Sequence, residues 1–278
     1  MIKTTQAGNG FREQVLRIMD RKHHWAWPYF SSKGLTKDQL KIHFQQEYVV
    51  YVRDFPVYLA RIHGQNPPAA VRRMLAENIY EEDTGGLSLG RSHPELFLSM
   101  MEGLGYRTEE FQRVTLLPAS RIYRTWLNRI SSNKDWVIGA AALTVFVEGS
   151  INDRQEIVNP SQSKTLTDIE DVVKKHPLVQ YHGLPPERMD LVRAHQMVEA
   201  GHRHDAYDMI LGHAVGSKRQ RAVIDCLNRS LYLWLRYRDG IARACGLRPS
   251  SEPTNSPRTR LGRTAIATPR PGSSCAKS

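Results

Sequence analysis

Residues 135–153 read DWVIGAAALTVFVEGSIND, and this stretch decides the fold. From Trp136 to Val147 nearly every residue is apolar, with no polar face at any period. A helix apolar all round belongs at the centre of a domain, enclosed by other helices. No run of roughly eighteen or more uncharged apolar residues occurs, so a membrane span is not expected.

Outward from this helix the chain stays helical. LPASRIYRTWLNRI (117–130) precedes it with an amphipathic pattern. Upstream, Phe11, Val15, Ile18 and Met19 form an amphipathic start. Thr36 reads as the N-cap of a helix with Leu40, Phe44, Tyr48 and Tyr51 near a 3.6 period, and Pro56 should kink or restart it. Pro67-Pro68 opens AAVRRMLAENIYEED and Gly85-Gly86 closes it. His93-Pro94-Glu95 begins a helix that stops at the Gly-Leu-Gly of 103–105. Downstream, PPERMDLVRAHQMVEAGHRHDAYDMILGHA (185–214) and RQRAVIDCLNRSLYLWLRYRDGIARAC (219–245) are long helices. No alternating strand pattern appears. An all-α single domain of about seven helices follows, over residues 11–247, with 1–10 as an extension and 152–184 as a connecting excursion.

The net charge of +11 first suggests nucleic acid. From Arg248 onward, however, Arg258, Arg260, Arg263, Arg270 and Lys277 face only Glu252, and large apolar residues nearly vanish. Residues 248–278 are therefore expected to be a disordered, solvated basic tail, with neither nucleic acid nor membrane as partner. The segment MIKTTQAGNGFREQ has no apolar core of a secretory signal. Cys226, Cys245 and Cys275 are too few and too irregular for a disulfide framework or a zinc site. A cytoplasmic protein is expected.

Three features carry chemistry. His195, Glu199 and His202 stand at i, i+4 and i+7, on one helix face, and imidazole with carboxylate suits iron, manganese or zinc. The plain alternative is a solvated polar face beside His204, Asp205 and Asp208. Glu148 ends the apolar helix, where a carboxylate is costly unless paired or bound to a cation, or unless it faces the following loop. Glu81, Glu82 and Asp83 crowd a helix C-terminus against its dipole, with His93 at the start of the next helix across a Gly-rich link. Together these groups offer carboxylates and imidazoles from four helices, as di-iron bundles do.

GLTKDQL, DFPVYLARIH, the NIYEE…GG…HPELF block and the His-x3-acid-x2-His helix, in this order, resemble the haem-oxygenase-like di-iron oxidases. That family lies within the pyrroloquinoline-quinone synthase and thiaminase-type (TENA) superfamily. The resemblance covers roughly residues 11–247. It implies metal ligands at Glu82, His93, Glu148, His195, Glu199 and His202. Glu81 is held in reserve for Glu82, or as a carboxylate behind a ligand, and Glu47 as a bridging or substrate-contacting carboxylate. Glu199 stands where aspartate is usual, and the link from Glu82 to His93 is long.

In a p-aminobenzoate-forming branch of the family a tyrosine is consumed in the stretch corresponding to HHWAWPYF. Trp27 occupies that place here, with Tyr29 near, and no lysine follows Glu148 closely. That route is therefore not expected. The resemblance implies two iron ions, cycling between Fe(II) and Fe(III), with dioxygen as co-substrate and an external reductant. The substrate would be a small amino-acid or amine metabolite, and N-oxygenation, desaturation or C–C cleavage the reaction. A homodimer is compatible. The alternatives are a metal-free oxidase or TENA-like hydrolase on the same fold, and a non-enzymatic helical binding protein. Tyr48, Tyr51, Arg53, Tyr58 and Arg193 fall on core-lining helices, and no catalytic role is assigned to them.

Overall fold

Trp136–Ala140 is α-helical, and Ala141–Val147 continues it with wider π winding. A computed structural model of the chain describes residues 6–159 and 164–249; side chains are left out at 6–9 and 199–202. Val137 and all residues from Ala140 to Phe146 are buried, as a helix without a polar face requires. Each large apolar side chain so enclosed contributes roughly 1.5–3 kcal/mol. Gly139 lets this helix approach its neighbour, since a Cβ there would sit 3.0 Å from the Ile130 carbonyl oxygen.

The first half runs α1 (Gln6–Met19), α2 (Trp27–Phe30), α3 (Lys37–Glu47) with a π segment at Tyr48–Val52, α4 (Phe55–His63), α5 (Ala69–Thr84), α6 (His93–Gly103), α7 (Glu109–Gln112) and α8 (Pro118–Ser131). The second half continues with α9 (Trp136–Ala140) and its π extension, α10 (Asp153–Val158), α11 (Leu166–Lys175), α12 (Pro177–His182), a 3-10 turn at Pro186–Arg188, α13 (Asp190–His213) and α14 (Ser217–Ala244). No strand occurs among the described residues.

The all-α class is as expected, but among the described residues fourteen α-helices stand where about seven were expected. The excess lies in short elements that periodicity over a long window does not register. The excursion at 152–184 contains three of them, α10, α11 and α12. Pro56 does restart the helix, which resumes at Phe55 with proline in its first turn.

Helix ends follow the residue chemistry. Thr36 and Gln39 form a reciprocal capping box, as do Ser92 and Glu95 before α6. Gly85 closes α5 at φ +62°, and its N–H donates to the Glu81 carbonyl at 2.7 Å. A side chain there would overlap the Arg91 backbone, so only glycine lets α5 and α6 fold back this tightly.

The apolar interior forms two clusters. One is built on α9 with α1, α4, α8 and α14, and the other on α3, α6 and the start of α13. The π extension of α9 packs against α8, α13 and α14. Among the described residues no helix is long and apolar enough to cross a membrane. The chain divides into two units, Met1–Arg248 and Pro249–Ser278, and the expected basic tail lies outside the described residues.

Candidate metal centre

Val71, Leu75, Asn78 and Glu81 are buried on α5, and Glu82, one turn beyond Asn78, is partly buried beside them. Glu82 thus points inward, toward α6. Ser92 caps α6 so that His93, its first residue, is buried and faces α5 across the Gly-rich turn. The carboxylate oxygen Oε1 of Glu82 stands 3.1 Å from His93 Nδ1.

Glu81 plays a different part. It is fully buried, and its oxygens accept from the Leu87 N–H at 2.7 Å, from the Ser88 hydroxyl and from the His93 Nε2 side at 3.1 Å. Burial works against its charge, but these donors outweigh it and hold its pKa below the ordinary range. For His93 burial likewise opposes the charged ring, but Glu82 and Glu81 outweigh it and raise its pKa. His93 is therefore gripped from both sides.

Glu148 follows directly on the π segment, its N–H reaching back five residues to the Leu143 carbonyl. Such wide turns recur at functional sites. Asn78 donates to Glu148 Oε1 at 2.8 Å. The carbonyls at the end of this helix lack intrahelical partners, and Lys22 supplies one. Its ammonium donates to Phe146 at 2.6 Å, to Val147 at 3.1 Å and to Gly149. Burial lowers the Lys22 pKa to about 7. Asp153 takes the N–H of Ser150 at 2.7 Å, the Tyr207 hydroxyl at 2.9 Å and an ion pair from Arg203, which also reaches Glu156 at 2.6 Å. The segment after Glu148 is thereby anchored to α13.

Glu82, His93, Glu148 and His195 line one cavity of about 210 Å³, together with Val52, Phe55, Val147 and Leu191 among others. The His93 and His195 rings meet edge-on with centroids 4.9 Å apart. Four of the six expected ligands, from four helical segments, thus converge. Glu199 and His202 lie one and two turns further along α13, and their side chains are outside the described ones. Among the described residues no three His, Cys, Asp or Glu are grouped closely enough to hold an ion by themselves.

The donor set nonetheless fits a metal. His93 Nδ1 is buried and makes no well-formed hydrogen bond, although Glu82 is beside it. Two ligand atoms at about 2.1 Å from one ion and near a right angle stand about 3 Å apart, which is the separation seen. Glu81 supplies the outer hydrogen bond that metal-bound imidazoles take on their second nitrogen. Glu81 is saturated by its own donors, so of the two adjacent carboxylates Glu82 is the one that faces the cavity.

Glu47 lies elsewhere. It pairs with Arg238 at 2.6 Å, accepts from Tyr51 at 2.7 Å and faces His43 at 3.4 Å. Of the aromatic and cationic residues singled out from sequence, Tyr51 lines the cavity. Arg53 pairs with Asp54, Arg193 with Glu170, Tyr58 donates to the Val50 carbonyl and Tyr48 stacks on Phe97. Sequence reasoning passed over Asn78, Lys22, Asp153, Arg203 and Arg238. Asn78 had a visible signal, a polar residue in the apolar stripe of α5.

The family model for iron-containing redox enzymes matches residues 42–235, most of the helical unit and every element that carries the cavity's polar residues. The chain belongs to this family. Curated relatives include the 4-aminobenzoate synthases of Chlamydia muridarum, 28% identical over 136 residues, and of Chlamydia trachomatis, 26% identical over 136 residues. Each alignment covers 48% of this chain, and the chain spans only 56% and 57% of those two proteins. Among solved structures, a TenA homologue from Pseudomonas syringae superposes with a TM-score of 0.60 at 14% identity, covering 86% of this chain and 92% of that one. A domain of unknown function with a haem-oxygenase-like fold from Shewanella denitrificans gives 0.56 at 17% identity, covering 86% and 90%. At these identities the structures establish the fold, which is haem-oxygenase-like.

Proposed function

We propose that this iron-containing redox enzyme is a non-haem di-iron oxidase that uses dioxygen to oxidise a small amino-acid or amine-type metabolite. The observation that carries the reading is the convergence of Glu82, His93, Glu148 and His195 on one cavity. Together with Glu199 and His202 they would hold the two ions with three carboxylates and three imidazoles. Iron, when bound, supplies the electrons and coordination positions that activate dioxygen.

The chain's own residues set the conditions. Glu81 fixes the His93 ring and turns its Nδ1 toward Glu82. Asn78 orients the Glu148 carboxylate. Lys22 and the Asp153–Arg203 pair hold the backbone on either side of Glu148. Val52, Phe55, Val147 and Leu191 make part of the cavity wall apolar, which strengthens electrostatic contacts inside it. N-oxygenation, desaturation and C–C cleavage are each compatible with this arrangement.

Oxygen uptake tests the reading. Protein loaded anaerobically with Fe(II) should consume dioxygen well above the rate of the same Fe(II) in buffer. His195→Ala and Glu148→Ala should bring uptake down to the buffer rate. Equal uptake by wild type and both variants would contradict it.

A further inference from the structure

α8 and α14 lie side by side and antiparallel, with Gly240 against Ala119 and the Trp126 indole donating to Ser230 at 3.0 Å. α8 carries three arginines and no acid, and α14 seven basic residues against Asp225 and Asp239. The pair is thus net +8, whereas residues 1–247 together are net +6, so the rest of the helical unit is slightly acidic. Arg124 and Arg238 turn inward onto Asp54 and Glu47. Arg121, Arg129, Arg221, Arg229 and Arg236 are exposed and have no carboxylate partner among the described residues. A face that keeps so many cations unpaired attracts an acidic surface and speeds its arrival.

The centre of this face is apolar. Leu117, Ile122 and Leu233 line a groove of about 290 Å³ between the helices, with Arg236 and Arg243 beside them. Ile122 is 56% exposed and Tyr232 50%, and the guanidiniums of Arg229 and Arg236 lie 5.4 and 5.9 Å from the Tyr232 ring. Tyrosine and arginine around an apolar centre are the composition of protein interfaces. Tyr123 and Tyr237, the chain neighbours of Ile122 and Arg236, are buried beneath the groove and stack with centroids 5.3 Å apart. Tyr237 meets Tyr51 edge-on at 6.4 Å, and Tyr51 lines the candidate metal cavity. Three packed rings therefore join the basic face to the cavity. Electron tunnelling falls off steeply with distance, so these rings give an electron arriving at that face a short way in.

We propose that the α8–α14 face docks an acidic one-electron carrier protein, which reduces iron in the cavity by way of Tyr123, Tyr237 and Tyr51. The inference rests on the oxidase reading above. Each encounter oxidises one carrier by one electron and returns one ferric ion to ferrous, so two encounters serve a di-iron centre. The tyrosines bridge the tunnelling path and are themselves neither oxidised nor reduced. Redox encounters of this kind are small and transient, which a few arginines around one groove suit.

The test uses the full chain and a plant-type [2Fe–2S] ferredoxin as the acidic probe. Calorimetry on metal-free protein should show saturable binding at low ionic strength, weakened at least about tenfold at roughly 0.15 M salt. Arg229→Glu/Arg236→Glu should weaken it at least about tenfold. Arg113→Glu/Lys174→Glu, exposed on other elements, should leave it within about twofold. With iron-loaded, oxidised protein under anaerobic conditions, reduced ferredoxin should reduce the iron more slowly in the α14 double variant, and dithionite should reduce it as in wild type. Tyr123→Leu should slow the ferredoxin reaction without changing ferredoxin affinity, and Tyr123→Phe should restore the rate. Unchanged affinity in the α14 double variant, equal binding of a basic cytochrome c, or tighter binding of duplex DNA or phosphatidylserine vesicles to the same face would each overturn the proposal. Iron uptake without ferredoxin binding would remove the docking face and leave the oxidase. Ferredoxin binding without iron uptake would remove the oxidase and the electron route with it.

Discussion

Glu81 and His93, twelve residues apart, meet with Oε1 3.1 Å from Nε2, and the carboxylate is wholly buried. This contact orients the imidazole so that its other nitrogen faces Glu82 and the cavity. Two adjacent glutamates on one helix end thus divide two positions, one holding the ring and the other facing the cavity.

Glu81→Gln should therefore weaken Fe(II) binding by roughly 10–100-fold, the usual effect of losing a carboxylate behind a metal-bound histidine. Glu82→Gln should instead lower the number of irons bound. Anaerobic Fe(II) titration of the two variants separates these outcomes, and equal loss of stoichiometry in both would argue against the division.

Gly149→Ala should cost about 1–3 kcal/mol, as overpacking does. A Cβ there would overlap the Val145 carbonyl and press on Asp153 and Met19. Because Glu148 is its neighbour, iron uptake should fall along with the thermal midpoint. Urea denaturation and metal analysis of the same preparation check both.

Thr36→Ala removes one half of a capping box far from the cavity. It should reduce stability by about 1 kcal/mol and leave iron stoichiometry unchanged. It serves as the control for general destabilisation.

Acid should destabilise the fold in two stages. Burial depresses the His43 pKa from 6.5 to about 4. Burial would raise Glu47, but His43 and Arg238 more than offset it and bring its pKa from 4.5 to about 2. For both groups the folded chain binds fewer protons than the unfolded one as pH drops. The contribution of these two groups is full above about pH 6.5, declines first through the His43 range and then between 4.5 and 2 through the Glu47 range. Metal-free protein should show this fall in thermal midpoint. His43→Asn should flatten its first stage.

The fold was legible where local chemistry dominates. Thr36, Pro68, Gly85 and His93–Pro94 mark helix ends through capping and backbone geometry, which act within a few residues. The short helices α2, α7, α10 and α12 depend on tertiary contacts and left no periodic trace. The π winding at Tyr48–Val52 and Ala141–Val147 is likewise invisible to a 3.6 period. Within the site, Glu148 was legible because a carboxylate beside an apolar helix needs a partner. Glu82 was placed ahead of Glu81 by the family resemblance; the residues alone leave the choice open, since it depends on Leu87 and Ser88 folding back as donors to Glu81. Arg238 escaped notice because an arginine on a long helix reads as solvated until its neighbours enclose it.

Iron stoichiometry is the most direct measure of the central claim. Metal-free protein titrated anaerobically with Fe(II), then freed of excess metal, should retain close to two irons per chain, and His202→Ala should retain fewer. A folded wild-type chain that retains none would contradict the account.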